Sequence, residues 1–399
     1  MRIDPVMFFG LLMIVGIDAS NIRAGGGVTH LKEVLGAAQP ARFGFEKVVV
    51  WSSAATLAKL PDREWLEKRS EPSLEGGLRR TMAWQMFDLA SRATQAGCDL
   101  LFVPGGSFTT ARRPIVTMSQ NLLPFDWREL LRYGVSAMTL KLIALRISQS
   151  RSFRKASGTI FLTEAAKQTV LAVTGPLSGA TVTIPHGIDQ RFAEAPRSPR
   201  SLADCSAADP FRVIYVSAVE HYKHQWHVAE AVAALRAEGL PISLDLIGPA
   251  NPAVLPKLQK VLARVDPAGE AIRYTGMVPY DELHTRYRSA DLCVFASSCE
   301  TIANILIEGM AGGVPTVCSD IGPMREVLGD GGIYCDPESP TSIAEAIRAM
   351  VVSPELRLEK ARIAFERSKH YSWTRCADET FAFLASVLSG TANETSGKP

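Results

Sequence analysis

DLCVFASSCETIANILIEGMAGGVPTVCSD, residues 291–320, contains a strand, a helix and the start of a second strand in one run. The apolar stretch LCVFAS is too short for a helix and suits a strand buried on both faces. A turn over residues 299–304 leads into NILIEGMA, which reads as a helix. Gly312 and Gly313 end it, Pro315 forbids its continuation, and PTVCS reads as the next strand. Two buried strands joined by a helix form a parallel βαβ unit. Two carboxylates sit oddly in it. Glu300 lies in the loop before the helix, and Glu308 lies roughly one turn inside, where a charge among apolar neighbours is costly unless partnered.

The same texture extends in both directions. MIVGIDA, KVVVWSS, LLFVPGG, PIVTMSQ, GTIFLT and TVTIPHG are strand-like, with helical patterns between several of them, as at residues 78–96 and 163–173. Residues 191–210, RFAEAPRSPRSLADCSAADP, are rich in Pro, Ser and Ala, lack periodicity and read as a linker. The alternation restarts with FRVIYVSA, ISLDLIG and AIRYTG, passes through the opening stretch and ends on GGIYCD, with helices near 226–238, 253–265, 281–289, 304–311 and 341–352. The expected fold class is α/β, with two doubly wound Rossmann-like domains, 1–190 and 211–370, facing across a cleft. Residues 371–390 carry a final amphipathic helix, and 391–399 read as a disordered tail. In such sheets ligands collect at the carboxyl ends of the strands, where each motif below lies.

Composition excludes some classes. A chain of 399 residues with 47% hydrophobic and 21% charged residues can bury two cores. The formal net charge of +2 gives no whole-protein case for nucleic acid. Seven scattered cysteines without a CxxC pair read as reduced core thiols of a cytoplasmic protein. No HExxH or His-Cys cluster suggests a metal. The apolar run of residues 6–16 is too short to span a bilayer and passes into the first strand, so the chain is expected to start effectively near Met13 or to carry a short membrane-touching lead.

A helix N-terminus after a strand attracts anions through its free N–H groups and its dipole. Carboxylates repel phosphate but accept hydrogen bonds from hydroxyls. An anion beside several hydroxyls describes a sugar nucleotide. The plainer alternative makes Glu300 a helix-capping acid and Glu308 a partly exposed helix residue.

The stretch E-TIANILI-E-GMAGGVPTVCSDIGPMREVLGDGGIYCDP resembles the Glu-x7-Glu signature of retaining glycosyltransferases with the GT-B fold, family 4 (group 1) in particular. The resemblance implies that Glu300 contacts donor-sugar hydroxyls near the reacting carbon, and that Glu308 grips the nucleotide ribose. Ile302, Ala303 and Asn304 start the helix that would face the diphosphate. VIYVSAVEHYKHQWHVAEAV, residues 213–232, resembles the family loop that brings an Arg and a Lys to that diphosphate. Lys223 falls on the Lys and Ser217 lies in the same loop, but Ala218 stands at the Arg position, so either His221 or His224 assists Lys223 or another cation reaches in. Lys223 alone also reads as a solvated lysine.

Gly25, Gly26 and Gly27 let backbone approach a ligand at a helix N-terminus, or make a plain loop; they resemble the family's first-domain glycine loop. PIVTMSQNLLPFD, residues 114–126, has Ser119, Gln120 and Asn121 where relatives carry an active-site histidine, and Asn121 is the candidate polar contact. His186 reads equally as hinge or ligand. Residues 128–155 hold seven basic residues and one acid among Leu, Ile and Met, suiting either a basic amphipathic helix on the inner-membrane surface or a core helix with a solvated basic face.

The implied activity is retaining transfer of a sugar from a donor such as GDP-mannose or a UDP-sugar to a hydroxyl of a glycan or lipid-linked glycan, without metal or cofactor, in surface-polysaccharide (lipopolysaccharide-type) assembly. A sugar-nucleotide 2-epimerase and a non-catalytic donor-binding subunit are the alternatives.

Overall fold

The computed structural model describes residues 12–23 and 25–390. The expected lead before Met13 and the expected tail at 391–399 fall outside the described residues, apart from Leu12. The chain divides into two compact units. One comprises the residues up to Phe125, Val135–Gly187 and those from Ser372 on; the other comprises Asp126–Gly134 and Ile188–Tyr371.

The first unit holds seven strands: β1 (Met13–Asp18), β2 (Phe45–Trp51), β3 (Leu66–Arg69), β4 (Leu100–Val103), β5 (Ile115–Met118), β6 (Gly158–Phe161) and β7 (Ala180–Thr183). Their order is β3-β2-β1-β4-β5-β6-β7. The second holds β8 (Phe211–Val216), β9 (Ile242–Ile247), β10 (Ile272–Gly276), β11 (Leu292–Phe295), β12 (Thr316–Ser319) and β13 (Gly332–Cys335), in the order β10-β9-β8-β11-β12-β13. The paired strands are parallel in both sheets, as where Phe211–Val216 run beside Ile242–Ile247 residue for residue. Each sheet reverses its strand order once, between β1 and β4 and between β8 and β11. The loops after those strands frame the crevice where doubly wound sheets take their ligands.

Burial explains why these segments are strands. β4, β5, β6, β11 and β12 are buried at every position, as continuous apolar runs in a doubly covered sheet should be. The helix Trp373–Leu388 closes the first unit: the Phe381 ring meets Phe45 edge-on with centroids 6.0 Å apart, and Asp378 pairs with Arg42 at 2.9 Å. The proline-rich stretch 191–210 lies along the second unit. Glu194 N–H donates to Ala311 C=O at 2.8 Å, and Arg197 donates to the carbonyls of Arg288 and Ala290.

The chain passes between the units at 125–126, 134–135, 187–188 and 371–372. Gly187 rests directly on backbone, since a Cβ there would lie 2.2 Å from Trp373 N. Gly187→Ala is expected to cost about 2–3 kcal/mol and to lower the melting temperature by roughly 5–10 °C in a thermal melt.

The basic stretch 128–155 is two helices, Trp127–Leu131 and Ala137–Lys155, broken at Gly134 with φ 58°. Arg128 and Arg132 pair with Glu338 and do not extend a single amphipathic face. Among the described residues no helix is long and apolar enough to cross a membrane.

Candidate functional site

The loops after β8 and β11 are bonded to each other. The Lys223 ammonium pairs with Glu300 Oε1, and the two side chains are 9% and 13% exposed. Ser297 Oγ donates to the same oxygen at 2.7 Å. Ser297 is itself held from β12: its N–H donates to Ser319 Oγ at 2.8 Å, and Ser319 Oγ donates to Phe295 C=O at 3.0 Å. Ser298 N–H donates to Tyr222 C=O at 2.8 Å. Lys223 lies over the Phe295 ring at 4.9 Å, and Tyr215 OH donates to its carbonyl at 2.6 Å. The pair at the crevice is therefore fixed from both loops and from the strand behind.

His224 adopts the left-handed conformation at φ 48°, uncommon for a non-glycine residue, and so turns the chain into the helix Gln225–Ala237. Its Nε2 lies 2.8 Å from Ser298 Oγ, and burial pushes its pKa down to about 3. Burial also lowers His221. Burial thus favours the neutral form of both imidazoles. Arg132 and Lys257 are the cations whose fields depress both imidazoles. Ala218 lacks a charge, but its carbonyl accepts from Gln225 Nε2 at 2.7 Å, and Ser217 Oγ donates to that same carbonyl at 2.9 Å.

The helix Asn304–Ala311 begins at Ala303 with no side chain capping it, which leaves its first N–H groups to other partners. Ile302 and Ala303 are buried at its mouth. Glu308 is not the partly exposed helix residue of the plainer alternative. It is 5% exposed, and Tyr287 OH lies 3.2 Å from both its Oε2 and Ile305 C=O. Burial raises its carboxyl to about 8, opposed by hydrogen bonds from Tyr287 and Tyr280. With its carboxyl raised by burial, Glu308 is held as a neutral acid whose Oε2 accepts from Tyr287 OH, a hydroxyl that also faces Ile305 C=O. The structure joins Glu300 to Lys223 and turns Glu308 toward the two tyrosines instead.

In the first unit, Gly25 (φ 68°) precedes the helix Gly26–Ala37, and a Cβ on Gly25 or Gly26 would meet nothing within 4 Å. Gly27 lies beside Gln120, whose Oε1 would be 3.6 Å from its Cβ. Asn121 is engaged locally, its Oδ1 accepting from Leu123 N–H at 3.0 Å in an Asx turn; Gln120 is the residue beside the glycine loop. His186 is 4% exposed and stacks on His30 at 4.7 Å, with Trp373 at 5.6 Å, a buried ring cluster beside the 187–188 crossing. Sequence reasoning passed over Asp18, at the carboxyl end of β1, which accepts from Gln85 Nε2 at 2.6 Å. It also passed over Ser297 and Ser319; Ser297, three residues before Glu300 at a strand end, was the available signal.

Residues 210–352, which carry the loops after β8 and β11, match the model of the family described as Glycosyl transferases group 1. The chain has the GT-B fold, and within its second unit residues 210–352 are similar to group 1 glycosyl transferases. Among curated relatives, the Escherichia coli O-antigen chain mannosyltransferase B is 32% identical over 109 residues, 27% of this chain and 29% of that protein. Sucrose-phosphate synthase from Thermosynechococcus elongatus aligns with TM-score 0.73 at 17% identity, over 95% of this chain and all of that one. Anabaena HepE in complex with UDP-glucose aligns with TM-score 0.60 at 18% identity, over 97% of this chain and all of that one. At such identities the two structures speak for the fold. The matched stretches span only 29% to 53% of the curated relatives' lengths.

Proposed function

We propose that the protein is a retaining glycosyltransferase that moves a sugar from a nucleoside diphosphate sugar to a hydroxyl of a glycan or lipid-linked glycan, in surface-polysaccharide assembly. The observation that carries this reading is the Lys223–Glu300 pair, fixed across the switch point of the second sheet. The donor diphosphate lies against Lys223, Ser217 and the helix start at residues 302–304, and the sugar hydroxyls meet Glu300. Glu308, with Tyr287 and Tyr280, takes the ribose end. The bond from the anomeric carbon to the diphosphate oxygen breaks as the acceptor oxygen bonds that carbon from the same face. The acceptor proton passes to the leaving phosphate, whose charge Lys223 and the helix dipole stabilise. The first unit, with the loop at Gly25, Gly26 and Gly27, serves the acceptor. The names of the O-antigen mannosyltransferase and of the UDP-glucose complex support a GDP-mannose or UDP-sugar donor.

A thermal-shift panel of GDP-, UDP- and ADP-sugars tests the reading. One donor should stabilise the protein by about 2.7 kcal/mol at a hundredfold excess over its Kd. No shift with any of them rejects donor binding, and conversion of the donor sugar in the absence of an acceptor would identify an epimerase instead.

A further inference from the structure

The first sheet reverses its order between β1 and β4, and the loops after β1, β4 and β5 border that crevice. Gly106, at φ 79°, turns the chain after β4. A Cβ on it would lie 3.0 Å from Gln149 Nε2 and 3.1 Å from Met118 C=O. The turn, the end of β5 and the helix Ala137–Lys155 therefore meet at one point. Among the described residues, two polar atoms at this junction find no partner. Gln149 is 6% exposed and its Oε1 accepts no hydrogen bond. Ser119, the residue after β5, is 1% exposed and its Oγ is unbonded. Buried polar atoms left in this way are rare and call for a ligand or an ordered water.

The chemistry of the two atoms selects the ligand. An amide oxygen such as Gln149 Oε1 is satisfied only by a donor. A sugar hydroxyl both donates and accepts, whereas a phosphate dianion only accepts. The arginines of the bordering loops are engaged elsewhere. Arg23 donates to Leu74 C=O, Gly76 C=O and Thr81 Oγ1. Arg112 donates to Thr94 Oγ1 and Cys98 C=O, and Arg113 to Thr110 C=O. Arg146, about one turn before Gln149, donates to Pro124 C=O. Asp18, buried at the end of β1 and held by Ser20 N–H and Gln85 Nε2, is an acid and lends no positive field.

We propose that the first unit takes its acceptor as an uncharged sugar and discriminates against phosphorylated ones. One ring hydroxyl donates to Gln149 Oε1 and another bonds Ser119 Oγ. A phosphate in the same place meets an acceptor oxygen and no available cation. The inference deepens the proposed function, on which it rests for the transfer itself, by naming the class of acceptor.

Saturation-transfer NMR on the full chain tests binding apart from transfer. Methyl α-mannoside or methyl α-glucoside should give a signal, and Ser119→Ala and Gln149→Met should each weaken its affinity about tenfold. Mannose 6-phosphate and glucose 6-phosphate should give no signal that these two changes remove. Thermal melts confirm that each variant is folded. In transfer assays with the donor selected by thermal shift, both variants should raise the KM for acceptor and leave the KM for donor unchanged. Glycoside binding at these residues without transfer from any donor supports the site while rejecting the proposed function. Transfer to sugar phosphates with equal or higher kcat/KM overturns the inference and leaves the proposed function standing. Glycoside signals indifferent to both substitutions also overturn it. So does the lack of any glycoside signal, which assigns the two atoms to ordered water.

Discussion

Exchanging Glu300 for glutamine is expected to lower sugar transfer by about a hundredfold or more while leaving nucleotide affinity within a few-fold. The side chain is already oriented: Oε1 is shared by Ser297 Oγ and the Lys223 ammonium, and Ser319 holds Ser297 from the neighbouring strand. Glutamine keeps the shape and most of the hydrogen bonding. What it lacks is the negative charge that, in the proposed reaction, stands beside the anomeric carbon as positive charge develops there. An interaction made mainly in the transition state lowers kcat with little change in KM. Steady-state kinetics with the donor selected by thermal shift would measure the split. An unchanged kcat would remove Glu300 from the reacting end. The adjacent Lys223→Met change should behave differently. It removes the cation proposed to face the diphosphate and leaves a largely buried carboxylate without its partner, so KM should rise and stability should fall together.

The fold was legible where chemistry is local. Continuous apolar runs announced the strands because sheets covered on both faces have no polar side to interrupt them. β3, Leu66–Arg69, escaped because its sequence LEKR is polar at three of four positions and it lies at a sheet edge. The helix Pro354–Ser368 escaped because its buried side is Arg357, Ala361, Ala364 and Ser368, which give little hydrophobic periodicity. Arg357 is tolerated there because its guanidinium donates to the carbonyls of Met350, Val351 and Arg200. The split of residues 128–155 could not be read locally either. The residues Asp126–Gly134 belong with the second unit because Glu338, far along the chain, takes Arg128 and Arg132, and because His221 packs edge-on to Tyr133 at 5.0 Å.

The site shows the same division. Glu300 and Lys223 were readable as residue types at a strand end, and the structure pairs them. Their supports were not. Ser297 and Ser319 act through geometry that only strand register supplies, and each looks like an ordinary loop or strand residue in the sequence. Glu308 was readable as costly, since a charge inside an apolar helix needs a partner. That its answer is burial as a neutral acid, against tyrosines from another helix, depended on a contact over many residues.

That protonation state makes stability depend on pH in a definite direction. Burial raises the Glu308 carboxyl from its ordinary 4.5 to about 8. Between those values the folded protein keeps a proton that the unfolded chain has released, so this group's contribution to stability is fully present below about 4.5 and declines as pH rises toward about 8. Glutamine at 308 has no proton to lose. The stability of Glu308→Gln relative to wild type should therefore increase from pH 5 to pH 8 by an amount on the order of a few kcal/mol, read by urea unfolding at each pH. A flat difference would mean that the carboxyl is ionised in the fold, and a falling one would reverse the sign of its burial. The ligand test is separate. Ribose hydroxyls that reach this carboxyl must displace Tyr287 from it, so Glu308→Ala should shrink the thermal shift given by the nucleotide alone. If the pH dependence appears and the nucleotide shift does not change, the buried acid is a structural partner of Tyr287, and the ribose is held elsewhere.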